Sequence, residues 1–357
     1  MNWRLGGHMS SMLDTPLRRH PQAVADLVSL INGGAMAQAL SVAAELGIPD
    51  LLAHGPKQAE EMARATETHA PSLRRLLKAL SSVGACRECD DGSFALGPIG
   101  TLVRSDTSES LRSWVVWFGR YQWPMWGNLL GSIKTGESAR KAAYGTDGFG
   151  HLERDSEAAA VFDSAMVQLS CLVAAEVART YDFKHIRSIV DVGGGRGALL
   201  HAILEAYPDV QGTVLDRPRA FADGDQWQNR DFGDRCTYVG GDFFHGVPHE
   251  ADVYLLKNII HDWDDDRATL ILRNCRAAIP PRGKLLLVER IMPERVEAAP
   301  RHRNLAWSDL AMLIGPGGRE RTEAEFRALL RAADFELRKV ISTAVEFSIL
   351  EALPGRV

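Results

Sequence analysis

Cysteine is scarce in this chain: Cys86, Cys89, Cys171, Cys236 and Cys275 are the only five in 357 residues. An odd number at such spacing does not make a disulfide framework and fits free thiols in a reducing compartment. Charge of either sign is not in excess, since 41 Lys and Arg oppose 46 Asp and Glu for a net of −5. No broad field exists to draw in nucleic acid or an anionic membrane. Long hydrophobic runs are missing as well. No apolar stretch reaches the roughly 18 residues a bilayer requires, and no apolar signal core stands near the N-terminus. The expectation is a cytoplasmic protein whose partner is a small molecule. Cys86-Arg87-Glu88-Cys89 has zinc spacing, but no second Cys or His pair accompanies it, so no metal is expected. Gly6-Gly7-His8-Met9 resembles a cloning scar, and roughly the first ten residues carry no weight in the fold reading.

What is present is an ordinary globular composition, 45% hydrophobic and 24% charged, in a chain long enough for two domains. Apolar residues recur at helical spacing from Leu30 to Leu52, with Gly47-Ile48-Pro49 interrupting late. Helical stretches Gln58–Thr66 and Ser72–Val83 follow, then Cys86–Leu96, where Asp91-Gly92 marks a tight turn between short strands. Three helices and a hairpin predict a winged helix over 11–110. Arg74, Arg75 and Lys78 would line its recognition helix, which invites a DNA-binding reading. Residues 1–110, however, carry 10 basic and 12 acidic side chains, whereas a duplex demands uncompensated cations. The module is therefore expected to be a dimerisation surface.

Residues 111–180 read as a mainly helical linker. Trp114, Trp117, Phe118 and Tyr121 fall at i, i+3, i+4 and i+7, and Trp123 and Trp126 extend the cluster. Such a stripe packs a core or dimer contact, or walls a flat substrate ring. Beyond Tyr181 the pattern changes. Ser188–Val192, Thr213–Leu215, Thr237–Val239, Val253–Leu256 and Lys284–Val288 read as buried strands, and Leu199–Ala206, Arg267–Ala278 and Thr322–Ala333 as helices. Over 181–357 this predicts an α/β, doubly wound, mostly parallel Rossmann-like sheet. Leu337–Thr343 and Glu346–Ala352 are joined too closely for a crossover and must pair as an antiparallel hairpin at one edge.

Asp191-Val192-Gly193-Gly194-Gly195-Arg196-Gly197-Ala198 stands where the first of these strands turns into its helix. Glycines there let the backbone approach a ligand closely. Gly193, Gly195 and Ala198 meet the loose dinucleotide fingerprint, and Asp216, 25 residues after Asp191, is placed for a ribose hydroxyl. The Asp191 carboxylate separates two cofactor classes. It would repel a pyrophosphate but suits the ammonium and sulfonium cations of S-adenosylmethionine. The competing reading is a structural acid in a glycine-rich turn.

With that loop, Gly241-Asp242-Phe243-Phe244, Leu256-Lys257-Asn258-Ile259-Ile260-His261-Asp262-Trp263 and Gly317-Gly318-Arg319-Glu320-Arg321-Thr322 resemble, in order, the motifs of S-adenosylmethionine-dependent O-methyltransferases. The likeness is to the dimeric plant caffeate and hydroxyindole type and its bacterial antibiotic-tailoring relatives. Ala43-Ala44-Glu45-Leu46-Gly47-Ile48 and Phe162-Asp163-Ser164-Ala165-Met166 agree, and the resemblance covers roughly residues 25–350. It implies that Gly193, Gly194 and Gly195 cradle the methionine end and Asp216 the ribose. Asp242 and Phe243 would meet the adenine, Lys257 would lie beside the cofactor and Trp263 would pack on it. Phe244 is expected in the core. The product would be S-adenosylhomocysteine and the enzyme a homodimer.

Methyl transfer to a phenol needs a base. His261 follows the strand Val253–Leu256 at the carboxyl edge where doubly wound sheets hold their ligands. A free imidazole is about 3.5 pK units weaker as a base than phenolate, a mismatch of roughly 4.8 kcal/mol. A carboxylate on one ring nitrogen would fix the tautomer and stabilise the imidazolium. The resemblance implies two, Glu289 and Glu320, although Glu320 also reads as an acid at a helix N-terminus. It also implies that Met166 and Met312 sandwich the acceptor ring, with Asp262 and Trp123 as further substrate-side candidates. Thioethers, however, equally fill irregular cores. Leu313-Ile314-Gly315-Pro316 departs from the plant pattern, being shorter and lacking its polar contact. Asp264, Asp265 and Asp266 read as helix N-terminal acids, since three adjacent residues cannot face one ion. The expected function is O-methylation of a small aromatic acceptor. The alternatives are C-methylation or another reaction on the same fold, a nucleotide-dependent oxidoreductase, and a transcription factor.

Overall fold

The computed structural model describes residues 20–146, 148–221 and 232–355; Gly6-Gly7-His8-Met9 lies outside the described residues. Two compact units are present, one ending at Gly119 and the other beginning at Arg120.

The first unit opens with the helix Pro21–Glu45, which starts well before Leu30 because Pro21 is tolerated in the first turn. Gly47, at φ +66, turns the chain into the short helix Ile48–Leu52. Helices Ala59–Ala65 and Ala70–Ser82 follow, then β1 (Cys86–Glu88) and β2 (Phe94–Leu96), an antiparallel pair around Gly92 at φ +77. Leu52, Met62, Leu77 and Phe94 form the core of this unit. Two cations of the supposed recognition helix are already paired, Arg74 with Glu60 and Lys78 with Glu88. Cys86 is buried, with its thiol donating to the Leu77 carbonyl.

Two expectations need correction. Pro21–Glu45 and Ser156–Thr180 are each 25 residues long, with mean hydropathy 1.4 and 1.6 over 18-residue windows, and are long and apolar enough to cross a bilayer. Interspersed polar residues hide them from a search for unbroken apolar runs. Ser156–Thr180 sends Val173 and Val177 into the core of its unit. The aromatic stripe is not one regular face either, because Trp117–Gln122 forms a π-helical turn that shifts the register. Trp117 and Tyr121 are buried, whereas Trp114 is 39% exposed and Trp123 41%.

The second unit is built on β3 (Ser188–Val192), β4 (Gln211–Asp216), β5 (Cys236–Gly240), β6 (Val253–Lys257), β7 (Lys284–Glu289), the short β8 (Ile291–Met292) and β9 (Arg321–Thr322), and β10 (Phe335–Ser342) and β11 (Ser348–Pro354). Seven of these make one sheet in the order β10-β11-β7-β6-β3-β4-β5. The central strands are parallel, while β10 and β11 form the expected antiparallel hairpin, β11 lying against β7. Burial on both faces explains the unbroken apolar runs of β6 and β7. The chain runs from β3 outward through β4 and β5, then returns to the other side of β3 for β6 and β7. Loops at the carboxyl ends of β3 and its neighbours therefore diverge and leave a crevice.

The helix Pro300–Ile314 and the parallel pairing of β8 with β9 have no counterpart in the sequence reading. That pairing returns the chain to the sheet edge just before the helix Glu323–Ala332, which Thr322 and Glu325 close with a reciprocal capping box.

Candidate active site

The strand ends supply the site. Gly193, Gly194 and Gly195 follow β3, Asp216 ends β4, Gly241-Asp242-Phe243 follow β5, Lys257 ends β6 and Glu289 ends β7. A single cavity is lined by Asp191, the three glycines, Asp216, Asp242, Phe243, Lys257, Asp262, Trp263 and Met166. Gly193 and Gly195 hold positive φ of +70 and +58. A Cβ on Gly194 would come 2.5 Å from Asp191 Oδ2, whereas one on Gly195 would meet no protein atom within 4 Å. The loop thus keeps both the carboxylate and the space before it clear.

Asp191 is buried, and its Oδ2 has no hydrogen-bond partner. Burial lifts its pKa to about 7 against the pull of the Lys257 ammonium. Lys257 moves the other way, lowered to about 8 by burial although Glu289 and Asp191 oppose the shift. Asp216 latches the loop: Gly195 N–H donates to its Oδ2 at 2.7 Å and Arg217 N–H to its Oδ1 at 2.7 Å. Each carboxylate oxygen retains a further lone pair. Trp263 stands edge-on to Phe243 at 6.2 Å and to Phe244 at 4.8 Å, and its buried Nε1 is unpaired. An orphaned carboxylate oxygen facing a glycine cradle suits a cation at that end. Aromatic edges with acceptor oxygens suit a nucleoside at the other.

His261 lies in the short turn Ile260–Asp262 after β6 and is buried with two carboxylates. Its Nδ1 is 3.1 Å from Glu320 Oε1 and 3.7 Å from Glu289 Oε2, and its Nε2 is 3.7 Å from Asp262 Oδ1. Ser308 Oγ also donates to Glu320 Oε1, at 2.6 Å, and Asp309 Oδ1 accepts Glu320 N–H at 2.9 Å. Glu289 Oε1 accepts the N–H groups of Ile259 and Ile260 at 3.1 and 2.9 Å, pinning the turn. Burial works against a charged imidazole, but Glu320 and Glu289 outweigh it and the His261 pKa rises to about 9. Burial favours the neutral form of Glu320, yet the imidazolium beside it holds its pKa below the usual value. Glu289 moves up, since burial there exceeds the pull of His261. Glu320 does not cap the following helix, for which Thr322 serves.

Some expected site residues are not on the cavity wall. His261, Glu289 and Glu320 are not, although Asn258, Ile259, Asp262 and Trp263 around His261 are. Met312, half-buried in Pro300–Ile314, is not among the lining residues. Trp123 is 41% exposed and is not among the residues lining the cavity. Other residues escaped the sequence reading. Arg321 is fully buried and donates to the Ile260 and Trp263 carbonyls at 2.9 and 2.8 Å and to Asp265 at 2.7 Å, clamping the turn that carries His261. Gly318 lies against the same backbone, and a Cβ there would come 2.0 Å from the His261 carbonyl oxygen. Asn258 lines the cavity at φ +54 with a buried unpaired Oδ1. The Gly317-Gly318 pair was the one sequence signal for this packing. Asp264 caps Asp265–Ala278 by accepting Arg267 N–H, as expected of a helix N-terminal acid.

Comparison with known proteins shows the family. A model of the O-methyltransferase domain matches residues 126–336, and one of the O-methyltransferase dimerisation domain matches 28–104. The chain is 43% identical to phenazine O-methyltransferase PhzM of Lysobacter antibioticus, over 92% of this chain and 95% of that protein. It is 37% identical to the mitomycin biosynthesis 6-O-methyltransferase of Streptomyces lavendulae, over 87% and 88%. The crystal structure of human N-acetylserotonin methyltransferase in complex with S-adenosylmethionine superimposes with a TM-score of 0.87 at 25% identity, covering 94% of this chain and 98% of that one. These matches do not favour the oxidoreductase alternative. The chain belongs to the O-methyltransferase family, an enzyme with S-adenosylmethionine as its cofactor and a helical dimerisation domain ahead of its methyltransferase fold.

Proposed function

We propose that this enzyme methylates a hydroxyl of a small aromatic acceptor, with His261 as general base supported by Glu320 and Glu289. The observation that carries the reading is the buried imidazole held at 3.1 Å by Glu320 on Nδ1, with Nε2 turned toward the cavity-lining Asp262. When bound, the cofactor supplies an electrophilic methyl on a sulfonium. Asp191 Oδ2 takes its cationic amino-acid end beside Gly193, Gly194 and Gly195, and Asp216 accepts from the ribose. Asp242 and Phe243 meet the adenine, and Lys257 and Trp263 flank the cofactor. Met166, Met312 and Asp262 border the acceptor. His261 Nε2 would take the proton that the acceptor hydroxyl gives up, the methyl leaving sulfur for that oxygen and S-adenosylhomocysteine remaining as the second product. That contact is made on acceptor binding, since catalytic hydrogen bonds are often long without ligand.

The electrostatics suit this task. Raising the imidazole to about 9 cuts its mismatch with a phenol near 10 to about one unit, or roughly 1.4 kcal/mol. The names of the relatives point to aromatic acceptors, a phenazine and N-acetylserotonin. Association of two copies through the first unit fits its long helix, which leaves Leu27, Leu30 and Ile31 between 56% and 70% exposed. The deciding experiment is an assay of phenols, hydroxyindoles and hydroxyquinones with labelled S-adenosylmethionine. Methyl ether products are expected. Methylation on carbon, or none across the panel, sinks the reading.

A further inference from the structure

The geometry points to Arg140 as a recognition residue for a carboxylate on the aromatic acceptor, an inference that rests on the methyl-transfer reading above. Arg140 sits in the first turn of the helix Ala139–Tyr144, where Ser138 Oγ accepts its backbone N–H at 3.1 Å. The same hydroxyl bonds the Ile314 and Gly315 carbonyls at 3.1 and 2.5 Å. The start of this helix is thereby tied to the end of Pro300–Ile314, the helix that carries Met312.

The guanidinium is buried, with only 3% of the residue exposed. Its Nη1 donates to the Gly148 carbonyl, and its Cζ lies 5.0 Å over the Phe149 ring. Among the described residues no carboxylate comes within ion-pair distance of it, Nε is buried without a partner, and Nη2 makes no hydrogen bond. Nε–H and Nη2–H share one edge of the planar group. That edge is the fork that takes the two oxygens of a carboxylate by parallel hydrogen bonds. Gly315 lies beside this edge, where a Cβ would come 3.4 Å from Nη2 and 2.8 Å from the Ala311 carbonyl oxygen.

A buried cation with an unpaired fork is costly unless something completes it. The ring of Phe149 and the charge of Asp262 offset part of the cost; even so, burial lowers the Arg140 pKa to about 10. Phe149 and Asp262 both line the cavity, and Asp262 is the residue facing His261 Nε2. Arg140 is not itself on the cavity wall; its guanidinium stands behind Phe149, one side chain from the part of the cavity where the acceptor hydroxyl must arrive. A strut that only held Gly148 and Phe149 would use Nη1 and the guanidinium face, leaving the Nε edge without purpose.

The test compares kcat/KM for a hydroxyaryl carboxylic acid and for its carboxamide, in the wild type and in Arg140→Met and Arg140→Lys. The wild type should prefer the acid by roughly 10- to 100-fold, the worth of a charge-assisted pair, mainly through KM. Arg140→Met should collapse that ratio and Arg140→Lys restore part of it, with S-adenosylhomocysteine binding confirming that each variant is folded. Equal use of acid and amide by the wild type overturns the inference without any variant. So does an Arg140→Met enzyme that loses both activities in proportion. Absence of methyl transfer to either compound, and to every neutral phenol, overturns the methyl-transfer reading itself.

Discussion

Nδ1 of His261 lies 3.1 Å from Oε1 of Glu320, although 59 residues separate the two in the chain. The contact holds because three neighbouring links converge on it. Arg319 N–H donates to the His261 carbonyl at 2.8 Å, Arg321 clamps the carbonyls on either side, and Ser308 supports the carboxylate. With Nδ1–H committed to Glu320, the neutral ring presents Nε2 as its basic nitrogen.

The pH profile of kcat/KM should show this arrangement directly. Because the free imidazole is raised to about 9, it is mostly protonated at neutral pH, and activity should climb with pH through that value. Glu320→Gln removes the main stabiliser of the imidazolium, so the ascending limb should move to lower pH while the plateau falls. His261→Ala should cost roughly 10²–10⁴-fold in turnover with little change in cofactor affinity. A variant that loses cofactor binding instead would mark His261 as structural.

Asp191 should couple cofactor binding to protons. Its pKa of about 7 leaves the free carboxyl largely neutral in mild acid, and a bound cation requires it ionised. S-Adenosylhomocysteine affinity should rise roughly tenfold per unit while pH stays below 7, then level off. Calorimetry in buffers of different ionisation enthalpy should register proton release in the wild type at pH 6. None is expected in Asp191→Asn, and equal release there would refute the assignment.

Asp216→Ala should weaken S-adenosylhomocysteine by about 1.5–3 kcal/mol, the value of a hydrogen bond to a charged group. The same change frees the Gly195 N–H, which donates to Asp216 at 2.7 Å, so Asp216→Asn should lose less by keeping an acceptor oxygen. Wild-type affinity in both variants, measured by calorimetry, would mean that the ribose is held elsewhere.

Gly318→Ala tests the packing beneath His261. The added methyl would come 2.0 Å from the His261 carbonyl oxygen and 2.6 Å from the Trp263 amide nitrogen, so one backbone must move. A displacement near 1 Å at a reacting group costs turnover on the order of 10²-fold. S-Adenosylhomocysteine binding should change far less, because the glycine loop is untouched. Full turnover in this variant would show that the position of the His261 turn is not critical.

The dimer is tested on the first helix. Leu30 and Ile31 are 67% and 70% exposed in the single chain, and Leu30→Glu with Ile31→Glu should turn a dimer into a monomer in light scattering. An unchanged dimer would move the interface off this helix.

Much of this molecule was legible from local pattern. Buried parallel strands have to be continuous apolar runs, so Ser188–Val192 and Val253–Leu256 were readable to within a residue of their ends. The glycine loop and Asp216 follow directly from where those strands stop. The five-residue link between β10 and β11 left an antiparallel hairpin as its one solution. Other features depend on contacts between distant segments, which no local periodicity encodes. The β8–β9 pairing carries Glu320 to His261, and the π-helical turn breaks the regular spacing of the aromatic stripe. Burial decided the charge states: the same carboxylate and imidazole groups would titrate normally in water, and only their exclusion from it, together with their neighbours, raised Asp191 to about 7 and His261 to about 9. Arg140 carries no sequence signal at all, because a charge in a short helix is ordinarily solvated, and folding alone closed Phe149 and Gly148 around it.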